Sequence, residues 1–181
     1  MIKIAGLCGS LRKDSYNRIA LEFAKTVVPA EAELQILEIG NLPFFNEDLE
    51  VNPGQTVLDF KEKIKNADAL LIATPEYNYS VPGVLKNALE WASRPPGHSS
   101  LENKPAAMMG ASNGMVGTAR AQNVLRQIGV HMNLLILNRP LVLISRAQDK
   151  FINGKLEDTK TKEKITELVQ ALLDWSKKLK K

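Results

Sequence analysis

Between positions 8 and 18 the chain reads Cys8-Gly9-Ser10-Leu11-Arg12-Lys13-Asp14-Ser15-Tyr16-Asn17-Arg18. Hydroxyls, an amide and cations converge there, between a short apolar strand and an amphipathic helix. A helix start exposes N–H groups that have no intrahelical partner, and its dipole favours negative charge. The chemistry such a place supports is anion binding, above all of a phosphate. Ser10, Ser15 and Asn17 can donate to phosphate oxygens, Arg12 adds a charged fork, and backbone N–H groups complete the cradle. Tyr16 lies in the same run, where its ring either joins the site or packs inward. Ser15 alone would read as a helix cap, but a cap needs neither Gly9-Ser10 nor Arg12.

The glycine spacings restrict which phosphate ligand this is. There is no G-x-x-x-x-G-K-[ST] loop, and Gly6 and Gly9 are wrongly spaced for G-x-G-x-x-G. Without those glycines Glu38, at the end of the second strand, reads as a surface residue and not as a ribose ligand. Gly110-Ala111-Ser112-Asn113-Gly114 matches the G-x-S-x-G nucleophile elbow, which needs an acid and then a histidine downstream. His131 is the one later histidine and no acid separates it from Ser112, so the hydrolase order fails. One cysteine excludes multi-thiolate metal sites, and neither His98 nor His131 has a strong ligand at metal spacing. Cys8 itself reads as a small core residue.

The elements that must position these groups follow from hydrophobic periodicity. A buried strand is predicted over 2–8, then a helix over 15–28 with Ile19, Phe23 and Val27 on one face, stopped by Pro29. A strand over 32–39 leads into a long irregular loop from Gly40 to Pro53. Val57, Phe60 and Ile64 mark a second helix, and 68–74 is a continuous apolar strand of the doubly buried kind. After the loop 75–80, Pro82 opens a helix carrying Leu85 and Leu89 and ending at Pro95-Pro96. A strand over 105–111 precedes a helix with Val124, Leu125 and Ile128 inward and Gly129 as cap. The fifth strand lies within 134–145, interrupted near Asn138-Arg139-Pro140. Asn153-Gly154 makes a tight turn, and a last helix has Ile165, Leu168, Val169, Leu172 and Leu173 inward.

Five alternations of strand and helix predict a parallel sheet with helices on both faces. Ligands of such sheets bind outside the carboxyl ends of the strands, here at loops starting at Gly9, Gly40, Pro75 and Ser112. The length of 181 residues suits one domain, 1–181. The net charge of +4 comes from Lys177, Lys178, Lys180 and Lys181; without them basic and acidic residues balance at 20 each. That is a solvated helix end, and no nucleic-acid motif accompanies it. The apolar start is too short for a signal peptide and has the reverse charge order, and no segment could span a bilayer. A cytoplasmic soluble protein is expected.

Two segments carry a family resemblance. Gly9-Ser10-Leu11-Arg12…Ser15…Asn17-Arg18, followed by Thr74-Pro75-Glu76-Tyr77-Asn78-Tyr79-Ser80-Val81-Pro82-Gly83-Val84-Leu85-Lys86-Asn87-Ala88, resembles the NAD(P)H-dependent FMN reductase family. This flavodoxin-like group includes quinone, azo-dye and chromate reductases. The resemblance implies a doubly wound five-stranded parallel α/β sheet in order 2-1-3-4-5, non-covalent FMN, and NADPH or NADH as co-substrate. It implies that Ser10, Arg12, Ser15, Tyr16 and Asn17 form the FMN phosphate loop, and that Pro75, Glu76, Tyr77 and Asn78 lie along the isoalloxazine edge. Ser112, Gly114 and Gly117 match small residues beside the pyrimidine or ribityl chain. Arg94 and Tyr79 are candidates for nicotinamide or substrate contact, Arg94 being equally readable as a cation on a helix C-terminus. Homodimers or homotetramers are implied, with a small-molecule electron acceptor. Phe44 and Phe45 either line the substrate entrance or pack an interface.

With flavin supplying the redox chemistry, no nucleophile is required. The expected activity is hydride uptake from NAD(P)H and two-electron delivery to quinones, free flavin, azo compounds or metal oxyanions such as chromate. The alternative from another class is a flavodoxin-type electron carrier without nicotinamide turnover. Carriers have strongly acidic surfaces, and this chain is balanced to basic.

Overall fold

The computed structural model describes residues 1–179, so the expectation for Lys180 and Lys181 lies outside the described residues. Strands β1 (Ile2–Cys8), β2 (Ala32–Leu37), β3 (Ala69–Ala73) and β4 (Pro105–Ala111) fall within the four segments that the sequence predicts. All their pairings are parallel: Ile2 pairs with Ala32, Ile4 with Ala69, and Leu70 with Ala106. The fifth position of the sheet is held by two short strands. β5 (Leu135–Ile136) pairs with the start of β4, and β6 (Val142–Ile144) pairs with its end, from Met109 to Ala111. The expected interruption at Asn138-Arg139-Pro140 separates them, where proline has no N–H for the ladder. The order is β2-β1-β3-β4-β5, as expected for a flavodoxin-like sheet.

Helices α1 (Tyr16–Thr26) and α5 (Thr159–Leu179) cover one face. Helices α2 (Gln55–Asn66), α3 (Gly83–Ser93) and α4 (Ala119–His131) cover the other. The inward residues expected of α2 and α5 are all buried. In α1 the buried face differs from the expectation: it is Asn17, Ala20, Leu21 and Ala24, while Ile19, Phe23 and Val27 are partly buried at its margins. Small residues let the helix lie close on the sheet, where a Cβ on Gly6 would come within 3.3 Å of Leu21 Cδ2. Gly129 is likewise no cap. It sits inside α4, where a Cβ would meet Ile136 Cδ1 at 2.3 Å, and it admits β5 beneath the helix. Pro82 stands one residue before α3 as its N-cap.

After β6 a hairpin of β7 (Phe151–Ile152) and β8 (Lys155–Leu156) turns at Asn153-Gly154, both at positive φ, as the sequence predicts. Among the described residues no helix is long and apolar enough to cross a membrane.

Candidate active site

The loop between β1 and α1 leaves the sheet at Gly9, whose N–H donates to Ala73 O at 2.8 Å. Ser15 is buried and caps α1, its Oγ accepting from Arg18 N–H at 3.2 Å. Among the described residues the N–H groups of Tyr16 and Asn17 have no protein acceptor, so the first turn presents two unpaired donors. The Arg12 guanidinium lies 4.9 Å from the centre of the Tyr16 ring and donates to Asp14 O, and Arg12 N–H reaches Ser10 Oγ at 3.4 Å.

Asn17 has a structural task in addition. Its side chain is buried, with Nδ2 donating to Ala111 O at 3.0 Å and Oδ1 accepting from Ala111 N–H at 2.8 Å. The amide thus bolts the start of α1 to the end of β4. Toward the cleft that it lines, Asn17 offers its main-chain N–H and the second N–H of Nδ2.

On the opposite wall, Thr74 and Pro75 leave β3 and the chain reverses through a tight turn. Tyr77 and Ser80 exchange N–H···O bonds at 3.1 and 2.9 Å, with Asn78 at φ 50° and Tyr79 at φ 64°. Two consecutive non-glycine residues in the left-handed region store backbone strain, a feature typical of functional loops. The Glu76 carboxylate holds this turn from one side. It accepts from Arg120 Nη1 at 2.9 Å and from the N–H groups of Arg120 and Ala121 at 3.0 and 3.2 Å, which caps α4. Arg120 also stacks on the Tyr79 ring at 4.0 Å. Burial pushes the Glu76 carboxyl up, but these hydrogen bonds outweigh it and hold the group below its ordinary value of 4.5. Because Glu76 is neutralised in this way, the wall presents no free anion to a phosphorylated ligand.

A carboxyl held low in the native state stabilises fully above its unfolded value and loses that contribution as pH falls through the lower native value. Glu76→Gln is therefore expected to cost about 1 kcal/mol at pH 7. In urea titrations the gap to wild type is constant well above the unfolded carboxyl value of 4.5 and closes as the pH falls through the lower native value; a gap that widens on acidification contradicts the cap.

The third wall is the loop after β4. Ser112 Oγ donates to Gly117 O, and Gly117 sits at φ 64° with a Cβ position 3.1 Å from Leu143 C. Gly110 packs tighter still: a Cβ there would lie 2.0 Å from Thr118 Oγ1 and 2.3 Å from Thr74 O. Gly114 N–H and side are open, its Cβ position 3.7 Å from Ser112 Oγ.

Together the three loops enclose a cleft of about 200 Å³ at the carboxyl end of the sheet. Ser10, Arg12, Ser15, Tyr16, Asn17, Pro75, Glu76, Tyr77 and Ser112 line it, joined by Ala111 and Asn113. Asn78, Gly114 and Gly117 lie on the same loops but do not line it. Tyr79 is exposed at the tip of the turn. Arg94 is not brought into the cleft. It pairs with Glu50 and, at 3.3 Å, with Glu47, and these partners hold its charge firmly on. Phe44 and Phe45 part company: Phe45 packs edge-on against Trp91 with centroids 5.0 Å apart, while Phe44 is 84% exposed. Asn87 clamps that loop, accepting from Phe45 N–H at 2.7 Å and donating to Pro43 O at 3.0 Å.

Arg120 is the residue that sequence reasoning passed over. A cation in the first turn of a helix opposes the dipole, and that misfit was the available signal that an acid must sit opposite.

A family profile described as NADPH-dependent FMN reductase matches residues 2–149. An NAD(P)H-dependent FMN reductase of Pseudomonas aeruginosa is 48% identical over 181 residues, covering 99% of this chain and 97% of that one. An NAD(P)H:quinone oxidoreductase of Solanum tuberosum is 45% identical over 189 residues, covering 99% and 95%. The solved structure of FerB, a flavoenzyme NAD(P)H:(acceptor) oxidoreductase from Paracoccus denitrificans, aligns with a TM-score of 0.90 at 37% identity over 98% of each chain. Fold, motif order and whole-length similarity agree, and this chain belongs to the NADPH-dependent FMN reductase family.

Proposed function

We propose that the protein is an FMN-dependent oxidoreductase that draws on NADPH or NADH and passes two electrons to small acceptors, quinones foremost. The observation that carries this reading is the single cleft in which the anion loop of Arg12 faces the strained wall of Pro75, Glu76 and Tyr77. Names of relatives supply the acceptor class: quinone oxidoreductases from plants and a 2-hydroxy-1,4-benzoquinone reductase of Burkholderia sp stand among them. Free flavin, azo compounds and chromate extend the range of acceptors.

The residues suit FMN on their own chemistry. Two unpaired N–H groups at the start of α1, the Ser10 hydroxyl and the Arg12 guanidinium make a cradle for a phosphate dianion. Pro75, Glu76 and Tyr77 present a rigid edge for a flat ring, and Ser112 with Gly114 flanks the chain between. FMN, when bound, supplies the two-electron relay between nicotinamide and acceptor. The protein's part is to hold the phosphate, orient the ring edge and keep one face open; exposed Tyr77 and Tyr79 stand at that opening. Residues 1–181 act as one flavodoxin-like, FMN-binding domain in the cytoplasm. Exposed Phe44, Leu49 and Val51, carried on the loop that Asn87 clamps, form an apolar surface for a homodimer or homotetramer.

Fluorescence titration tests the cofactor. FMN is expected to bind in preference to FAD, because the cradle takes a terminal phosphate and its N–H groups close on a small dianion. Equal affinity for the two flavins, or none for either, counts against the assignment.

A further inference from the structure

We infer that the β7–β8 hairpin is a positioning element for the phosphate loop, and that Phe151 acts through Tyr16 to hold the Arg12 guanidinium over the cleft. The inference rests on the phosphate placement proposed above. The hairpin begins at Phe151, just after residue 149, where the family match ends.

Phe151 is buried, and its ring centroid is 5.1 Å from that of Tyr16, at an interplanar angle of 37°. The Tyr16 ring also meets Arg12, whose guanidinium lies 4.9 Å from its centroid. Buried Phe151, half-buried Tyr16 and exposed Arg12 are thus in contact in series. Arg12 is an exposed loop residue whose other side-chain contact is its donation to Asp14 O. The ring beneath it lowers the entropy lost when it meets a phosphate.

The same segment grips the facing wall. Ala147 N–H donates to Ser112 O at 3.0 Å and Arg146 N–H to Gly114 O at 3.2 Å. Arg146, at φ 48°, takes a left-handed turn to do so and is pinned by Asp149 at 2.8 Å. Glu157 N–H closes the base of the hairpin on Lys150 O at 2.9 Å, and Phe151 is paired with Leu156 across it. One short segment therefore spans both sides of the anion end of the cleft, with no group of its own lining the cleft. Phe151 is a positioning residue and makes no ligand contact.

The test compares FMN with riboflavin, which lacks the phosphate, on the full-length protein. Phe151→Leu keeps an apolar side chain and removes the ring; it is expected to weaken FMN binding about fivefold and leave riboflavin within roughly twofold. Phe151→Tyr restores a ring and is expected to restore FMN affinity. In an Arg12→Ala background, Phe151→Leu is expected to have no further effect. Equal weakening of both flavins, or no weakening of FMN, overturns the inference while leaving the cofactor assignment standing. If wild-type protein binds FMN no more tightly than riboflavin, the phosphate placement itself fails, and the inference with it. Should Phe151→Leu not fold, Phe151→Met, which also keeps an apolar side chain and removes the ring, gives the same comparison with the same outcomes.

Discussion

Asn17→Leu is expected to destabilise the protein by about 3 kcal/mol, although leucine matches asparagine closely in size and would ordinarily suit a buried helix position. The reason is what it leaves behind. Ala111 N–H and Ala111 O lie at the end of β4, and both complete their hydrogen bonding on the Asn17 amide. A buried, unsatisfied main-chain group costs on the order of 1–3 kcal/mol, and this substitution strands two. Asn17→Asp keeps the acceptor and loses the donor, so it is expected to fall between leucine and wild type. Urea denaturation with a common m-value reads these differences. A loss below about 1 kcal/mol for leucine means that water replaces the amide and that α1 is not anchored to β4 through it.

The second large effect is on the ligand. Arg12→Ala combined with Ser15→Ala is expected to weaken FMN binding by about 3 kcal/mol, more than a hundredfold, through lost charge-assisted hydrogen bonds. The two residues contribute differently. Arg12 is exposed and makes no contact that stabilises the fold through burial, so Arg12→Ala is expected to change affinity with little change in stability. Ser15 Oγ caps α1, so Ser15→Ala costs about 1 kcal/mol of stability besides loosening the N–H groups of the first turn. Measuring both quantities for both single variants separates cap from cradle. Unchanged FMN affinity in the double variant would move the phosphate to another part of the molecule.

The positions of the strands were legible from short runs bounded by turn residues, and a run such as Ala69–Ala73 has no polar face to confuse its placement; their order came with the family resemblance. The inward faces of α2 and α5 were legible for the same reason, since large apolar side chains at helical spacing mark them. α1 misled because Ile19, Phe23 and Val27 lie at the margins while Asn17, Ala20, Leu21 and Ala24 face the sheet; periodicity weighted by size overlooks a face made mostly of small residues. Gly129 misled in a related way: glycine near a helix end reads as a cap, but here it makes room for Ile136.

Within the cleft, residue type located the loops and left the side-chain tasks undecided. Ser10 and Arg12 line the cleft, as their loop suggested. The partners of Asn17 and Glu76 are 94 and 44 residues away, and no local spacing encodes such pairs. Both side chains hold loops together. Arg94 shows the converse. A cation at the end of a helix finds its acids, Glu47 and Glu50, in the long loop after β2, whose conformation only the folded chain displays.

Anaerobic stopped-flow mixing of the FMN-loaded protein with NADPH, and separately with NADH, asks whether nicotinamide reduces a flavin held in the cleft. Rapid loss of the oxidised flavin absorbance is expected with at least one of the two, followed by recovery when a quinone is added. Flavin that stays oxidised with both nucleotides overturns the reductase reading and leaves an electron carrier on the same fold.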